Sequence, residues 1–111
     1  MAEWKSVAKT YQSVGYVDLN SVQQRGDITS MNVLIDYEKP PFDGNNLSYR
    51  SLTLRSEYNC ATQQFRTIKL TSHIGNMATG HKPYHSDEPS EWQAVSPASI
   101  QNAFWKTACA K

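Results

Sequence analysis

The two cysteines of this 111-residue chain are the residues most suited to covalent chemistry. Cys60 lies in mid-chain and Cys109 is third from the end. Joined as a disulfide, they would close a loop of about 50 residues, which adds about 4 kcal/mol of stability in the chain-entropy model. Left reduced, they would be two buried thiols of a cytosolic protein. Neither has a neighbouring histidine or a CxxC partner, which argues against a catalytic thiol.

The three histidines raise the question of a metal site. His81 and His85 would fall on the same side of a strand, with Asp87 and Glu88 close by in sequence, and His73 lies further upstream. Along a strand, however, residues four apart are separated by about 13 Å, too far to share one ion. The acidic residues lack a buried, partnered setting that would tune one of them for acid catalysis. We therefore expect exposed loop histidines, no metal or other cofactor, and no enzymatic activity.

Arg25-Gly26-Asp27 is the tripeptide that integrins recognise on exposed loops. Three common residues carry little specificity for such a function. Gly-Asp before a strand is also how the chain makes a tight turn. We expect a turn at this position.

A set of basic residues lies on neighbouring predicted strands, together with Tyr49 and Tyr58. Such a set can form a sheet face that holds a protein, a glycan or a polyanion. It can also be ordinary exposed decoration, with cross-strand pairing to Glu57. The basic residues that we predict to contact a partner are Arg50, Arg55, Arg66 and Lys69.

Length and charge limit the fold and the partner. A chain of 111 residues has the usual size of one domain, so we expect a single domain over residues 1–111. A net charge of +1 provides no global field for nucleic acid or an anionic membrane. No apolar run approaches the roughly 20 residues that span a bilayer. The opening Met1-Ala2-Glu3-Trp4 lacks the basic and apolar regions of a secretory signal, so we interpret the chain as a mature region.

The elements that must position these residues are mostly short strands. Val, Ile, Thr, Tyr and Leu occur in short runs separated by Gly, Asn and Asp, which is typical of strands and turns. We predict strands over Trp4–Ala8, Gly15–Leu19 and Ile28–Tyr37, and a turn or helical stub over Asn20–Gln24. Alternation along the third strand predicts a core face that consists of Thr29, Met31, Val33, Ile35 and Tyr37.

Two longer strands follow. They are preceded by a loop over Lys39–Asn46, where two prolines and a Gly-Asn pair favour a turn. The first strand, Leu47–Tyr58, places Leu52 and Leu54 on one face and Ser51, Thr53, Arg55 and Glu57 on the other. The second strand is Gln64–Ile74. Its predicted core face consists of Arg66, Ile68, Leu70, Ser72 and Ile74.

The last part of the chain changes from strand to helix. We predict a weak strand over Asn76–Tyr84 and a short extended piece over Trp92–Val95. Ser96 and Pro97 are typical of an N-cap and the first residue of a helix, and the helical pattern then continues to Cys109. The face of that helix that can lie on the sheet consists of Ile100, Ala103, Phe104, Thr107 and Ala108.

Several motifs also occur in an informative order. An early Trp4 precedes GYVDLNSVQQRGD and a strand that closes in LIDY; a Ser-rich strand then runs into YNC at Cys60. An Arg66 strand follows, and WQAVSP precedes a helix that ends at Cys109. In this order the motifs resemble the surface-adhesin protein E-like family of Gram-negative bacteria over most of the chain. The glycine that usually follows the proline is replaced here by Ala98.

The resemblance implies an α+β fold in which an antiparallel sheet of about six strands carries a C-terminal helix on one face, tethered by a Cys60–Cys109 disulfide. It also implies export to the periplasm or outer-membrane surface and attachment to host matrix or plasma proteins such as vitronectin and laminin. We therefore expect a non-enzymatic binding module. The alternative is a periplasmic structural or envelope domain that binds another bacterial protein. An exposed edge strand would also permit a homodimer.

Overall fold

A computed structural model of the chain describes residues 3–38 and 49–110. Within these ranges it contains seven strands and one helix. Their bounds are β1 Trp4–Lys9, β2 Ser13–Arg25, β3 Ile28–Tyr37, β4 Ser51–Asn59, β5 Gln64–His73, β6 Tyr84–Ser86, β7 Gln93–Ala94 and α1 Ile100–Cys109. Strands β1 to β6 neighbour one another in chain order, and β7 also pairs with β5. All these pairings are antiparallel, which confirms the predicted α+β fold.

The predicted loop over Lys39–Asn46 lies outside the described residues, and the predicted strand Leu47–Tyr58 is described from Ser51 onward as β4. The extended piece predicted over Trp92–Val95 is confirmed as β7. Within residues 3–38 and 49–110, no helix has the length and apolar character that crossing a membrane requires.

One face of the sheet packs against the helix, and we call it the helix face. The predicted alternation of β3 is confirmed there, because Thr29, Met31, Val33 and Ile35 are all buried. Tyr37 is partly buried and packs against the same core. The core cluster consists of Val17, Met31, Val33, Ile35, Leu54, Tyr58, Phe104 and Ala108.

Strand β2 is longer than the sequence predicted, and the turn or helical stub predicted over Asn20–Gln24 is wrong, because these residues belong to the strand. Pairing with β3 shifts between Asp18 and Gln23, so the strand bulges at this point. The Asn20 backbone N–H donates to Asp18 Oδ1 at 3.1 Å, and Ser21 Oγ donates to the Asp18 carbonyl at 2.6 Å. Short polar side chains thus fold the backbone locally without starting a helix.

Strand β5 does not keep the predicted two-residue alternation. Ile68 is an extra residue that has no partner in β4, and it forms a β-bulge. On one side of the bulge Phe65 packs against the core, and on the other side Leu70 does so. Arg66 and Ile68 instead line a groove on the opposite face. The predicted core face therefore holds at Leu70, and Ser72 is buried at 3% exposure. It is wrong at Arg66 and Ile68, because one extra residue reverses the alternation, and at Ile74, which lies beyond the end of β5 and is 46% exposed.

The predicted strand over Asn76–Tyr84 is also wrong. Residues 75–79 form a turn, in which the Gly75 N–H donates to the Thr79 carbonyl at 2.9 Å. Asp36 on β3 holds this turn against the sheet, because its Oδ1 accepts from the Met77 N–H at 2.7 Å. The pairing of β6 with β5 begins only at Tyr84.

The helix begins three residues later than predicted. Ser99 is the N-cap, and its side chain accepts from the Asn102 N–H at 3.3 Å. The predicted cap, Ser96, instead belongs to a turn before the helix, in which its carbonyl accepts from the Ser99 N–H at 3.1 Å. Phe104 and Ala108 are buried on the sheet, as the periodicity predicted.

Gly15 on β2 lets the helix approach the sheet closely. A Cβ at this position would lie 2.9 Å from Ile100 Cδ1 and 2.9 Å from Phe104 Cζ. Real Cβ atoms do not make contacts of that length, so a side chain here would push the helix or its side chains away. The glycine therefore sets the distance between β2 and the helix.

The end of the helix is fixed to the end of β4. A disulfide joins Cys60 to Cys109, with a Cα–Cα distance of 5.6 Å, and this confirms the predicted pairing. Beside it, Trp105 Nε1 donates to the Asn59 carbonyl at 3.0 Å. One covalent bond and one hydrogen bond therefore hold the helix over the core.

Candidate functional site

The face of the sheet opposite the helix, which we call the outer face, carries the polar residues. Residues that pair directly across strands share a face, so the register defines rows of neighbours. One row crosses five strands and consists of Trp4, Asp18, Asn32, Arg55 and Lys69. This row brings two of the predicted contact residues together.

Two open grooves lie on the outer face. The first, the Trp92 groove, has a volume of about 330 Å³ and is lined by Trp92, Arg66 and Glu57 among others. The second, the Trp4 groove, has a volume of about 240 Å³ and is lined by Trp4 and Lys69 among others. Arg55 lines both grooves, so they meet at its side chain.

The guanidinium of Arg55 is held by four hydrogen bonds within the protein. Nη1 donates to the Ser21 carbonyl at 2.8 Å and to Asn32 Oδ1 at 3.2 Å. Nη2 donates to Gln23 Oε1 at 3.1 Å and to Ser30 Oγ at 3.0 Å. Arg55 therefore fastens the bulge of β2 to the sheet and shapes the boundary between the grooves.

The Arg55 side chain is partly buried, which affects its pKa. Burial lowers the pKa of its guanidinium, and the charges of Glu57 and Asp18 oppose that shift. An arginine starts from so high a pKa that it keeps its charge at neutral pH. Both grooves are therefore bounded by a permanent cation.

Arg66 forms an ion pair and stacks on an aromatic ring. Its Nε donates to Glu57 Oε1 at 2.7 Å, and the two side chains are 34% and 22% exposed. Its guanidinium lies 4.9 Å from the centre of the Trp92 ring, a cation–π distance. One of its donors is used by Glu57, so the planar fork keeps further N–H groups for a ligand.

Lys69 and Arg50 differ in position. Lys69 is exposed on β5, and among the ion pairs and side-chain hydrogen bonds of residues 3–38 and 49–110 none involves it. Arg50 is exposed just before β4, and five residue steps at strand spacing place its Cα about 17 Å from that of Arg55. The structure thus brings Arg55, Arg66 and Lys69 together on the outer face and leaves Arg50 apart. In a regular strand Arg66 and Lys69 would lie on opposite faces; the bulge at Ile68 unites them.

The histidines only partly match the prediction. His81 and His85 are exposed, but His73 is 4% exposed at the end of β5, so the prediction is wrong for His73. Its Nε2 lies 2.9 Å from Thr53 Oγ1, while its buried Nδ1 has no hydrogen-bond partner among the described residues. Burial, and next the charge of Lys82, lower the pKa of His73. In the described part of the chain, no group of three or more metal-ligating side chains comes together.

Comparisons with known proteins identify the family. The family model described as surface-adhesin protein E matches residues 4–110. The chain belongs to this protein E family. It is therefore a surface adhesin-like protein, and the family points to a non-enzymatic role. Against curated protein sequences the chain has no match.

The fold of this protein E family member is similar to solved structures of Haemophilus influenzae protein E. One has a TM-score of 0.63 at 13% identity and covers 99% of this chain and 92% of that chain. A second crystal form has a TM-score of 0.65 at 12% identity and covers 99% and 96%. Protein E from non-typeable Haemophilus influenzae has a TM-score of 0.61 at 12% identity and covers 94% and 71%. At these identities the likeness concerns the fold.

In this family member the Arg-Gly-Asp tripeptide forms the turn between β2 and β3, as predicted. Arg25 pairs with Ile28 across the turn, which leaves Gly26 and Asp27 as its two central residues. Gly26 has a φ of 59°, a left-handed conformation that favours glycine. All three residues of the tripeptide are exposed.

Two functional candidates, Trp4 and Trp92, were not among the residues that we predicted to contact a partner. Trp105 packs against the core. Trp4 and Trp92 are instead half-buried and line the outer-face grooves. Trp92 lies directly before β7, whose pairing with Gln64 and Phe65 brings it beside Arg66, and local sequence patterns do not signal this pairing.

Proposed function

We propose that this protein is an exported, non-enzymatic binding module that contacts a host matrix or plasma protein through its outer face. The observation that carries the proposal is the contrast between the faces in a member of an adhesin family. The helix covers the helix face, whereas the outer face keeps open grooves with charged groups. The disulfide supports export, because disulfides persist in oxidising compartments.

The predicted contact residues have different roles in this proposal. Lys69 is the main polar contact because it is exposed and has no ion-pair partner among the described residues. Arg66 is the second contact, held in place by Glu57 and Trp92. Arg55 positions the surface, since four of its five N–H donors are already used. Arg50 lies outside this surface and is not needed for contact.

The experiment is a binding assay of the oxidised, monodisperse protein against immobilised vitronectin, laminin and other matrix and plasma proteins. We expect saturable binding that weakens as salt rises, because exposed charges are screened. Lys69→Ser should weaken the binding. Lys106→Ser is the matched control, since Lys106 is an exposed lysine on the helix, and it should leave the affinity unchanged.

The assay can also contradict the proposal. Absence of binding to every host protein would refute host contact and favour the alternative, a periplasmic or envelope domain bound to another bacterial protein. Binding that Lys69→Ser and Arg66→Ser both leave unchanged at low salt would keep a host partner but remove it from the outer face.

A further inference from the structure

We infer that the two joined grooves of the outer face bind a short acidic saccharide, with a carboxylate or sulfate in the Trp92 groove and a neutral sugar ring in the Trp4 groove. This inference rests on the proposed function in one respect: the saccharide would be a determinant carried by the host partner. It concerns the chemistry of the ligand, which the binding of a host protein alone does not define.

The charge of the grooves selects an anion. Among the lining residues that the structure describes, four are cations and one, Glu57, is a carboxylate that is already paired with Arg66. Two further carboxylates lie near this face: Asp18, which is 6% exposed in the same cross-strand row as Arg55, and Asp87, whose Oδ1 lies 2.9 Å from His85 Nε2. An anionic group therefore meets an excess of positive charge that is local, because the whole chain has a net charge of only +1. The cations are Arg25, Arg55, Arg66 and Lys69.

The Trp92 groove is the better place for the anion. Stacking at 4.9 Å on Trp92 and the 2.7 Å bond to Glu57 fix the orientation of Arg66 before any ligand arrives. A planar guanidinium held in this way binds a carboxylate or sulfate through parallel N–H groups at little cost in conformational entropy. Arg25 lines the same groove.

The Trp4 groove is the better place for a sugar ring. Its lining combines the indole of Trp4 with the hydroxyls of Thr53 and Thr71 and the amide of Asn32. A pyranose has one face of C–H groups that can lie on an aromatic ring and a rim of hydroxyls that exchange hydrogen bonds with such side chains. Small-ligand sites combine an apolar wall and a few placed polar groups in this way.

The size and shape of the grooves limit the length of the ligand. Their volumes, about 330 and 240 Å³, lie near the lower end of the range for small-ligand sites. Since they meet at Arg55, one molecule can occupy both. Two or three linked sugars fit this description better than a long polymer, whose many charges would need a longer basic track.

The test is a titration of the ¹⁵N-labelled, oxidised full chain followed by NMR. The probes are 3′-sialyllactose for a carboxylate, a heparin-derived disaccharide for a sulfate, and lactose as the neutral counterpart. We expect shifts at Lys69, Thr71 and Arg55, none on the helix, and an affinity for at least one acidic probe about tenfold above that for lactose, as two exposed ion pairs would give.

Variants separate the two grooves. The double variant Arg66→Gln and Lys69→Gln should lose most of the tenfold preference for the acidic probe, while Lys106→Gln keeps it. Trp4→Leu should weaken acidic and neutral probes alike. Because Lys69 is exposed, Lys69→Gln alone provides a folded variant in which part of the preference is lost.

Several results would overturn the inference. They are equal affinity for lactose and the acidic probes, shifts confined to the helix face, no shifts with any saccharide, or an equal response to a single-stranded tetranucleotide. A host protein that binds while every saccharide fails would overturn the saccharide and leave the proposed function intact. Saccharide binding without any host-protein binding would overturn the proposed function and leave the saccharide site intact.

Discussion

The two faces of the sheet are built from the same strands but differ in almost every physical property. On the helix face, Val17, Met31 and Phe104 are fully buried, and the helix and the disulfide close the surface. On the outer face, the side chains around Arg55 are polar, hydrogen-bonded and partly open to solvent. The contrast teaches that one face provides stability and the other remains available for recognition.

The contrast is not absolute, because some side chains on the outer face are also fully buried. Leu34 is fully buried although it alternates away from the helix, and it is not part of the core cluster. Ser51 is also fully buried and donates to the Gly75 carbonyl at 2.7 Å, which holds the 75–79 turn over this face. The effects of variants on each face therefore show whether stability depends mainly on the helix face and binding mainly on the outer face.

The largest loss of stability should come from the helix face. Phe104→Ala removes a fully buried ring and should lower the free energy of unfolding by about 3 to 5 kcal/mol. Denaturant titration measures this change. Lys106→Ala, two residues further on the exposed side, is the control and should change stability by less than about 0.5 kcal/mol. A similar effect of both variants would contradict the assignment of the core to this face.

Removal of the disulfide should be nearly as costly. The double variant Cys60→Ser and Cys109→Ser removes a cross-link between residues 49 positions apart in sequence. In the chain-entropy model this should lower the free energy of unfolding by about 4 kcal/mol. Calorimetry of the oxidised protein, the reduced protein and the double variant provides the comparison. If the double variant melted like the oxidised protein, the cross-link would not be what keeps the helix on the sheet.

On the outer face, Arg55→Met should cost about 2 kcal/mol. The change removes the guanidinium that donates to the Ser21 carbonyl and to Asn32 Oδ1, so these partly buried acceptors lose their hydrogen-bond donor. Hydrogen exchange should also become faster over residues 19–22. Lys69→Met is the matched control on the same face and should leave both stability and exchange unchanged. Unaltered exchange in Arg55→Met would show that the bulge does not depend on this residue.

The smallest effect should be a dependence of stability on pH from His73. Burial lowers its pKa in the folded protein below the ordinary value of 6.5, so the unfolded chain binds the proton more readily. The stability contributed by neutral His73 is therefore complete above pH 6.5 and declines as the pH falls through the lowered pKa. Melting temperatures from pH 7.5 to 5 should show this decline in the native chain but less of it in His73→Gln. The control is His81→Gln, at an exposed histidine, which should keep the native pH dependence.

Much of the fold could be predicted from local sequence. The alternation of β3 and the amphipathic stripe of the helix follow from short-range patterns, and the structure confirms them. Such patterns indicate which residues are buried, and the buried residues determine which face of a strand or helix packs against the core. The Cys60–Cys109 disulfide is implied by the family resemblance, and the structure confirms it too.

The site was harder to predict because it depends on register between strands. The extra residue Ile68 has no local signature, yet it turns Arg66 and Lys69 onto one face. The pairing of β7 with β5 brings Trp92 to Arg66, which lies 26 residues earlier in the chain. Bulges and long-range pairing are decided by the packing of the whole sheet, which alternation within one strand does not record.

The central claim is that stability and recognition lie on opposite faces of one sheet. The most direct test measures unfolding free energy and affinity for a host partner on the same samples of Lys69→Ser and Phe104→Leu. We predict that Lys69→Ser weakens binding and keeps the stability, whereas Phe104→Leu lowers the stability and keeps the affinity under native conditions. If Phe104→Leu weakened binding while Lys69→Ser did not, recognition would belong to the helix face and the claim would be contradicted.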